Sequence, residues 1–183
     1  MSTSSATTTT TANEHPADRS AVRNPPARIV LAVLRVLFGF TFLWAFLDKL
    51  FGLGKATPSE SAWLNGGDPT YGFLANNEGT FSSFFTGLAG QPWVTWLFML
   101  GLLGIGVALV TGAGMRLAAI SAFAMYLMMW LASFPLENNP FVDDHLTGAL
   151  TVVLFALTSA GDTLGIGGWW QRTSVVRRVP LLR

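Results

Sequence analysis

The sequence predicts an all-α integral membrane protein: a four-helix transmembrane bundle with a long structured extracytoplasmic loop between helices 1 and 2. Two features of the 183 residues favour this class, since hydrophobic residues make up 51% of the chain and charged residues only 11%. Soluble domains carry about 25% charged residues, so this chain lacks the polar side chains to cover a water-facing surface. The third feature is a series of long apolar runs.

Four apolar runs give the predicted helices and their order. They cover about residues 29–51, 93–111, 117–134 and 143–160. The first run would be ~34 Å long as a helix, which is enough to cross a bilayer. Pro92 suits the first turn of the second helix, and Pro135 stops the third. Short connections between the later helices predict an antiparallel bundle.

The membrane domain is predicted to cover residues 28–170, with a polar tail on each side of it. Residues 1–27 are rich in serine, threonine and proline, so we expect a disordered cytoplasmic tail. Residues 171–183 form a second cytoplasmic tail, which is basic.

The positions of the arginines predict the orientation in the membrane. Eight of them fall on one side of the predicted bundle: Arg19, Arg23, Arg28, Arg116, Arg172, Arg177, Arg178 and Arg183. Only Lys49 and Lys55 fall on the other side, and Arg35 lies within the first helix. Positive residues mark the cytoplasmic side, so both termini of this multi-pass protein are predicted to be cytoplasmic.

The loop between the first two helices spans roughly 40 residues and is predicted to contain local structure. Thr57-Pro58-Ser59-Glu60 has the form of a capping box and predicts a short helix through Trp63 and Leu64. Asp68-Pro69 can begin another helix. An amphipathic stripe follows, made of Phe81, Phe84, Phe85 and Leu88. The aromatic residues either anchor the bundle at the interface or form a lid over a cavity.

Arg35 is the most informative single residue, because a charge inside the membrane costs about 2.5–3.5 kcal/mol unless it finds a partner or water. Three roles are open for it. It can reach the cytoplasmic headgroups, it can pair with the carboxylate of Asp162, or it can face a bound polar ligand. On helix 1, Arg35 shares one face with Gly39, Phe42 and Lys49.

A second polar group is predicted at the outer end, where Asp143-Asp144-His145 begins the fourth helix near Lys49. One hypothesis is a proton relay in which His145 and Asp144 are catalytic and Lys49 pairs with one carboxylate. The alternative is structural, with Asp143 or Asp144 capping the helix and His145 at the interface. In the second helix, the spacing of Gly104, Ala108 and Gly112 predicts close helix packing.

Composition excludes several other classes of site. There are no cysteines and only two histidines, so we predict no metal site and no tightly bound cofactor. The formal net charge of +1 offers no field for nucleic acid. The lipid bilayer is the predicted partner.

Several short motifs, in order, resemble those of the DoxX family of bacterial membrane proteins. They are the run Leu34 to Leu50, Trp63-Leu64-Asn65-Gly66, Gly72-Phe73-Leu74, Asn139-Pro140 with Asp143-Asp144-His145, and Gly161-Asp162 with Leu164-Gly165. The later motifs are similar to the DoxD branch, the membrane component of thiosulfate:quinone oxidoreductase. The resemblance implies a four-helix fold in the bacterial plasma membrane, quinone as a substrate, and partner redox subunits.

Two functions are therefore predicted. The first is a membrane subunit of a quinone-linked oxidoreductase, with His145 and Asp144 as catalytic residues. Its quinone would contact Arg35, Lys49, Trp44 and Asp143. The second is a non-catalytic accessory or assembly subunit of a larger membrane respiratory or redox complex.

Overall fold

All regular secondary structure in residues 22–183, the part of the chain that the computed structural model describes, is helical. The eight α-helices are α1 (Pro25–Phe51), α2 (Tyr71–Ala75), α3 (Ser82–Leu88), α4 (Pro92–Thr111), α5 (Met115–Ala132), α6 (Asp144–Leu157), α7 (Gly167–Trp170) and α8 (Ser174–Arg178). Four 3₁₀ turns accompany them: Ser59–Ser61, Trp63–Asn65, Ala160–Asp162 and Pro180–Leu182. The predicted tail over residues 1–21 lies outside the described residues.

Helix α1 has a defined cap at each end. The Asn24 side chain accepts a hydrogen bond from the Ala27 N–H at 3.4 Å, and Pro25 occupies the first helical position. The helix therefore begins four residues before the predicted position 29. It ends at Gly52, which has a φ of +66° and donates its N–H to the Asp48 carbonyl at 2.8 Å.

Three helices, Pro25–Phe51, Pro92–Thr111 and Met115–Ala132, are long and apolar enough to cross a membrane. The fourth predicted span corresponds to α6, which is shorter than residues 143–160. Its 14 residues give about 21 Å of helix, less than the ~30 Å hydrocarbon core. Ser159, with a φ of +53°, ends the regular helical path before the Ala160–Asp162 turn.

The bundle packs as two helix pairs, α1 with α4 and α5 with α6. Buried side chains from all four helices fill the space between the pairs: Phe42, Met99, Leu102, Ile105, Leu109, Met115, Ala122, Val152 and Phe155. Large apolar side chains also cover the outside of the bundle, as a lipid environment requires: Leu37, Phe40, Trp96, Leu97, Leu100, Ile120, Leu150 and Leu157.

The close approach of α1 and α4 depends on two glycines that face each other's helix. A Cβ on Gly106 would lie 2.7 Å from the Leu43 side chain, and one on Gly39 would lie 2.8 Å from the Val110 backbone nitrogen. The predicted contact through Gly104 is wrong, because nothing lies within 4 Å of the position of its Cβ.

Alanine substitutions at Gly104 and Gly106 form a matched pair within one helix. We expect Gly106→Ala to lower the thermal unfolding temperature of the detergent-purified protein, because the new methyl group collides with Leu43. Gly104→Ala should leave that temperature unchanged or raise it, since alanine favours a helix over glycine by up to ~1 kcal/mol. Equal effects of the two substitutions would contradict this packing.

The loop between α1 and α4 folds back over the end of the bundle. The predicted capping box at Thr57-Pro58-Ser59-Glu60 does not form: the turn that follows has no side-chain cap, and Thr57 is buried. Two 3₁₀ turns replace the predicted helix. Helix α3 does follow the amphipathic stripe, with Phe85 buried and Phe84 exposed.

The predicted basic tail, residues 171–183, is folded against the opposite end of the bundle. The Arg116 N–H donates to the Arg183 carbonyl at 2.8 Å, and the Trp170 indole N–H donates to the Leu182 carbonyl. Val176 of α8 is fully buried. We call this end, where α1 begins and α4 ends, the arginine end, and the other the loop end.

Candidate functional site

A cavity of about 690 Å³ opens at the loop end between the loop, the C-terminal end of α5 and the start of α6. Ten of the sixteen lining residues are polar: Asn76, Asn77, Glu78, Ser133, Glu137, Asn138, Asn139, Asp143, Asp144 and His145. Apolar groups complete it, among them Phe73, Pro135, Leu136 and Val142. The loop forms one wall because Asn77 donates its side-chain N–H to the Ala132 carbonyl at 2.7 Å, and the Thr80 N–H bonds the Phe134 carbonyl at 2.8 Å.

A histidine–carboxylate pair lies in this cavity, formed by His145 and Asp143. The His145 Nδ1 lies 2.7 Å from Asp143 Oδ2, within hydrogen-bond distance. The other Asp143 oxygen, Oδ1, accepts the Leu146 N–H at 3.0 Å and so caps α6. The predicted capping role therefore belongs to Asp143, which also holds the imidazole ring.

Asp144, which we predicted to be catalytic with His145, is placed differently. Its Oδ1 lies 3.8 Å from His145 Nδ1, beyond a hydrogen bond, and its side chain is 96% exposed. The carboxylate within hydrogen-bond distance of His145 is thus that of Asp143, and not that of Asp144 as we predicted. The two carboxylates and the imidazole have ligand atoms within 4.8 Å of one another, close enough together to hold a cation.

Hydrogen bonds control the ionisation of Asp143. Burial by itself would raise the pKa of this carboxyl group, but the hydrogen bonds from His145 and from the Leu146 N–H lower it below its usual range. Asp143 is therefore an anion at neutral pH. Because the Asp143 carboxylate contacts Nδ1, Nε2 is the other ring nitrogen that a ligand in the cavity could contact.

Aromatic rings connect the cavity to the core of the bundle. The His145 and Tyr126 ring centroids are 6.4 Å apart, and Tyr126 contacts Phe42 edge-on at 5.4 Å. Gly148, one turn after His145, makes room for the Tyr126 ring, because a Cβ there would lie 2.9 Å from it. A ligand in the cavity would thus lie close to a ring that reaches the buried core.

Arg35 lies far from this cavity, at the arginine end. Its side chain is fully buried and donates to four backbone carbonyls, those of Leu109, Val110, Thr163 and Leu164. The predicted ion pair with Asp162 does not form: within residues 22–183, the only salt bridges join His145 to Asp143 and Asp144. The Asp162 carboxylate instead accepts from Gln171 at 2.8 Å.

The remaining predicted site residues do not reach the cavity. Trp44 is 38% exposed and lies beside Phe40 on the outer face of α1, with the ring centroids 6.2 Å apart. Lys49 is in the last turn of α1 and makes no salt bridge with Asp143 or Asp144. Arg35, Trp44 and Lys49 therefore do not form one site with His145.

Two aspartates that the sequence analysis did not assign to the site hold the loop in place. Asp48 is 1% exposed and accepts the backbone N–H groups of Lys55 and Ala56 at 3.2 and 3.0 Å. The sequence contains a signal for this role of Asp48, because an anion in the last turn of a helix is destabilised by the helix dipole unless hydrogen-bond donors compensate it. Those donors fix the turn that leads into the loop.

Asp68 attaches the loop to α4. Its Oδ1 accepts the Thr95 hydroxyl at 2.8 Å, the Thr70 N–H at 2.9 Å and the Tyr71 N–H at 3.2 Å. Burial alone would raise the pKa of Asp68, but these hydrogen bonds hold it below the usual range. The cavity wall therefore depends on an ionised carboxylate.

The apolar helices and the cavity are those of a helical membrane protein with a polar cavity at one end of its bundle. The DoxX family model matches residues 30–134, more than half of the 183 residues, and the chain belongs to the DoxX family. The match includes most of α1, the loop, α4 and α5, and it ends before Asp143. No curated protein and no solved structure matches the chain.

Replacing Arg35 tests its carbonyl contacts. We expect Arg35→Leu to cost at least about 3 kcal/mol of unfolding free energy, because several buried carbonyls lose their donor. Arg28→Leu is the control, since among the described residues the Arg28 side chain bonds only the Thr163 hydroxyl, at 3.3–3.4 Å. This substitution should cost under about 1 kcal/mol. Adding Asp162→Asn to Arg35→Leu should give no rescue; recovery of the unfolding temperature would show an ion pair.

Acidification tests the Asp68 contacts. Asp68→Asn should lower stability by about 1–2 kcal/mol at neutral pH, because it removes charge-assisted hydrogen bonds. Since the folded pKa is depressed, the difference from wild type should be complete above about pH 5. The difference should shrink as the pH falls below the pKa of an ordinary aspartate, ~3.9, and should be lost as the pH passes the lower pKa of Asp68 in the folded protein. Thermal unfolding from pH 3 to 7 measures this. The exposed Glu60→Gln is the control, and a difference that grew on acidification would disprove the assignment.

Proposed function

We propose that this chain is the membrane subunit of a quinone-linked oxidoreductase of the DoxD-like type. In this proposal α6 completes a fourth crossing of the bacterial plasma membrane, and both termini are cytoplasmic. Within residues 22–183, the arginine end has seven arginines besides the buried Arg35 and one acidic residue, and the loop end has seven acidic residues and two lysines, which supports that orientation. The cavity then faces the outside of the cell.

The observation that carries the proposal is the His145–Asp143 pair in the cavity, 2.7 Å apart. Reduction of a quinone to a quinol consumes two electrons and two protons. The electrons would come from a partner redox protein, because the chain has no cysteine and only two histidines. The chain itself would supply the cavity and a route for protons.

In this mechanism Asp143 positions the imidazole ring of His145 through its contact with Nδ1. Nε2 then donates a proton to a quinone oxygen. The imidazole regains its proton from water, which reaches the open cavity. Quinol oxidation runs the same steps in reverse, with His145 as the base.

A second candidate function is a non-catalytic accessory or assembly subunit. Exposed aromatic side chains on the loop favour it, since they give a partner protein apolar contact area: Tyr71, Phe73, Phe81 and Phe84, each 43–56% exposed. In this second function Asp143 serves only as the cap of α6, and His145 is a residue of its first turn.

The neighbouring aspartates allow a matched test with the native complex purified in mild detergent. Asp143→Asn keeps a good helix cap but removes the anion beside His145. We expect it to lower thiosulfate-dependent reduction of decylubiquinone and to change its pH profile. Asp144→Asn removes one charge at the next position and should leave turnover unchanged. His145→Ala should lower turnover by at least about 100-fold.

The same measurements separate the two functions. If all three variants keep wild-type turnover per complex while deletion of the chain lowers the abundance of the partner subunits, the accessory function is correct. If the purified complex neither retains quinone nor binds decylubiquinone, the quinone-linked proposal fails.

A further inference from the structure

At the arginine end, residues 164–183 form a surface that is both apolar and basic. Six large apolar side chains on it are 46–65% exposed: Leu164, Ile166, Trp169, Val175, Val179 and Leu181. Arg172, Arg177, Arg178 and Arg183 are exposed on the same segment, and Arg116 at the start of α5 adjoins it. We call this set the basic surface.

Among residues 22–183, the basic surface has more arginines than acidic neighbours. Within residues 22–183, Asp162 is the single acidic residue at the arginine end, and its carboxylate accepts from Gln171. The only salt bridges among the described residues lie at the loop end. The five arginines therefore form an excess of positive charge.

Specific contacts hold this segment in place against the bundle. The Ile166 N–H donates to the Thr111 carbonyl at 2.8 Å, and the Arg116 side chain donates to the Pro180 carbonyl at 3.3 Å. Buried Val176 secures the short helix that carries Arg177 and Arg178. The apolar and basic groups are thus held on one surface, so a ligand that binds there loses little free energy to ordering of this segment.

We propose that the basic surface binds anionic phospholipids of the leaflet at the arginine end. The ligand must supply an anion for the arginines and hydrocarbon for the exposed apolar side chains, and an anionic phospholipid supplies both. Guanidinium groups bind phosphate oxygens in a bidentate manner, and an indole such as that of Trp169 suits the headgroup boundary. Free phosphate or a nucleic acid would leave the apolar half of the surface in water.

The test compares phosphatidylglycerol with phosphatidylcholine as ligands of the full-length protein in detergent, by native mass spectrometry. Each basic residue near an anionic surface contributes about fivefold in affinity, so Arg177→Gln/Arg178→Gln should weaken phosphatidylglycerol binding roughly thirtyfold. Phosphatidylcholine binding should change little. Lys49→Gln/Lys55→Gln removes the same charge at the loop end and should retain wild-type binding.

The wild-type protein gives a second measurement that needs no variant. Phosphatidylglycerol should raise its unfolding temperature more than phosphatidylcholine does, and 0.5 M NaCl should remove most of the difference, because exposed charges are screened within about 3–5 Å at such ionic strength. The proposal is overturned if wild type binds both lipids equally. It is also overturned if the loop-end variant loses as much phosphatidylglycerol as the arginine variant, or if inorganic phosphate stabilises the protein as well as the lipid does.

Discussion

The buried guanidinium of Arg35 joins three parts of the chain that would otherwise separate at the arginine end. It extends from α1 to the last carbonyls of α4 and to those of Thr163 and Leu164, which follow α6. These carbonyls lie at the negative end of the α4 dipole and in a turn, where helical partners are missing. The close approach needs glycine, because a Cβ on Gly112 would lie 2.5 Å from the Gly161 carbonyl oxygen and 3.1 Å from Arg35. One charged side chain thereby supplies hydrogen bonds to four backbone carbonyls.

The loop end is held by the opposite chemistry. There the carboxylates of Asp48, which is buried, and Asp68, which is half-buried, accept hydrogen bonds from backbone N–H groups of the loop and from a hydroxyl of α4. The result is a fixed loop that stands beside the end of α5 and leaves a polar cavity in front of α6. Each end of the bundle thus uses an ionised side chain to satisfy backbone groups that no helix can satisfy, a requirement that hydrocarbon makes strict.

The long helices could be predicted from the sequence because their signals are local: apolar runs of sufficient length, bounded by proline and glycine. The partners of Arg35 could not, since backbone carbonyls are not visible in a sequence, and Asp162 was the only acidic side chain within reach. Gly104 and Gly106 differ by two residues, about 200° around a helix, so a spacing rule alone does not tell which faces α1. The same limit applies to Asp143 and Asp144. These two aspartates are adjacent in the sequence. Only the three-dimensional structure shows that Asp143, which caps α6, is the one that contacts His145.

Because Asp143 both caps α6 and holds His145, the start of this helix and the chemistry of the cavity depend on one carboxylate. Arg35 and Asp48 are separated by 13 residues of α1, about 20 Å, so the cavity and the Arg35 contacts lie at opposite ends of the bundle. Arg35 is therefore left with a structural role, although it was the strongest single signal in the sequence. In the proposed function, protons enter from the loop end, and the partner that supplies electrons must approach the same membrane surface. The exposed aromatic side chains of the loop lie on that surface, so the same residues can serve docking whether this subunit is catalytic or accessory.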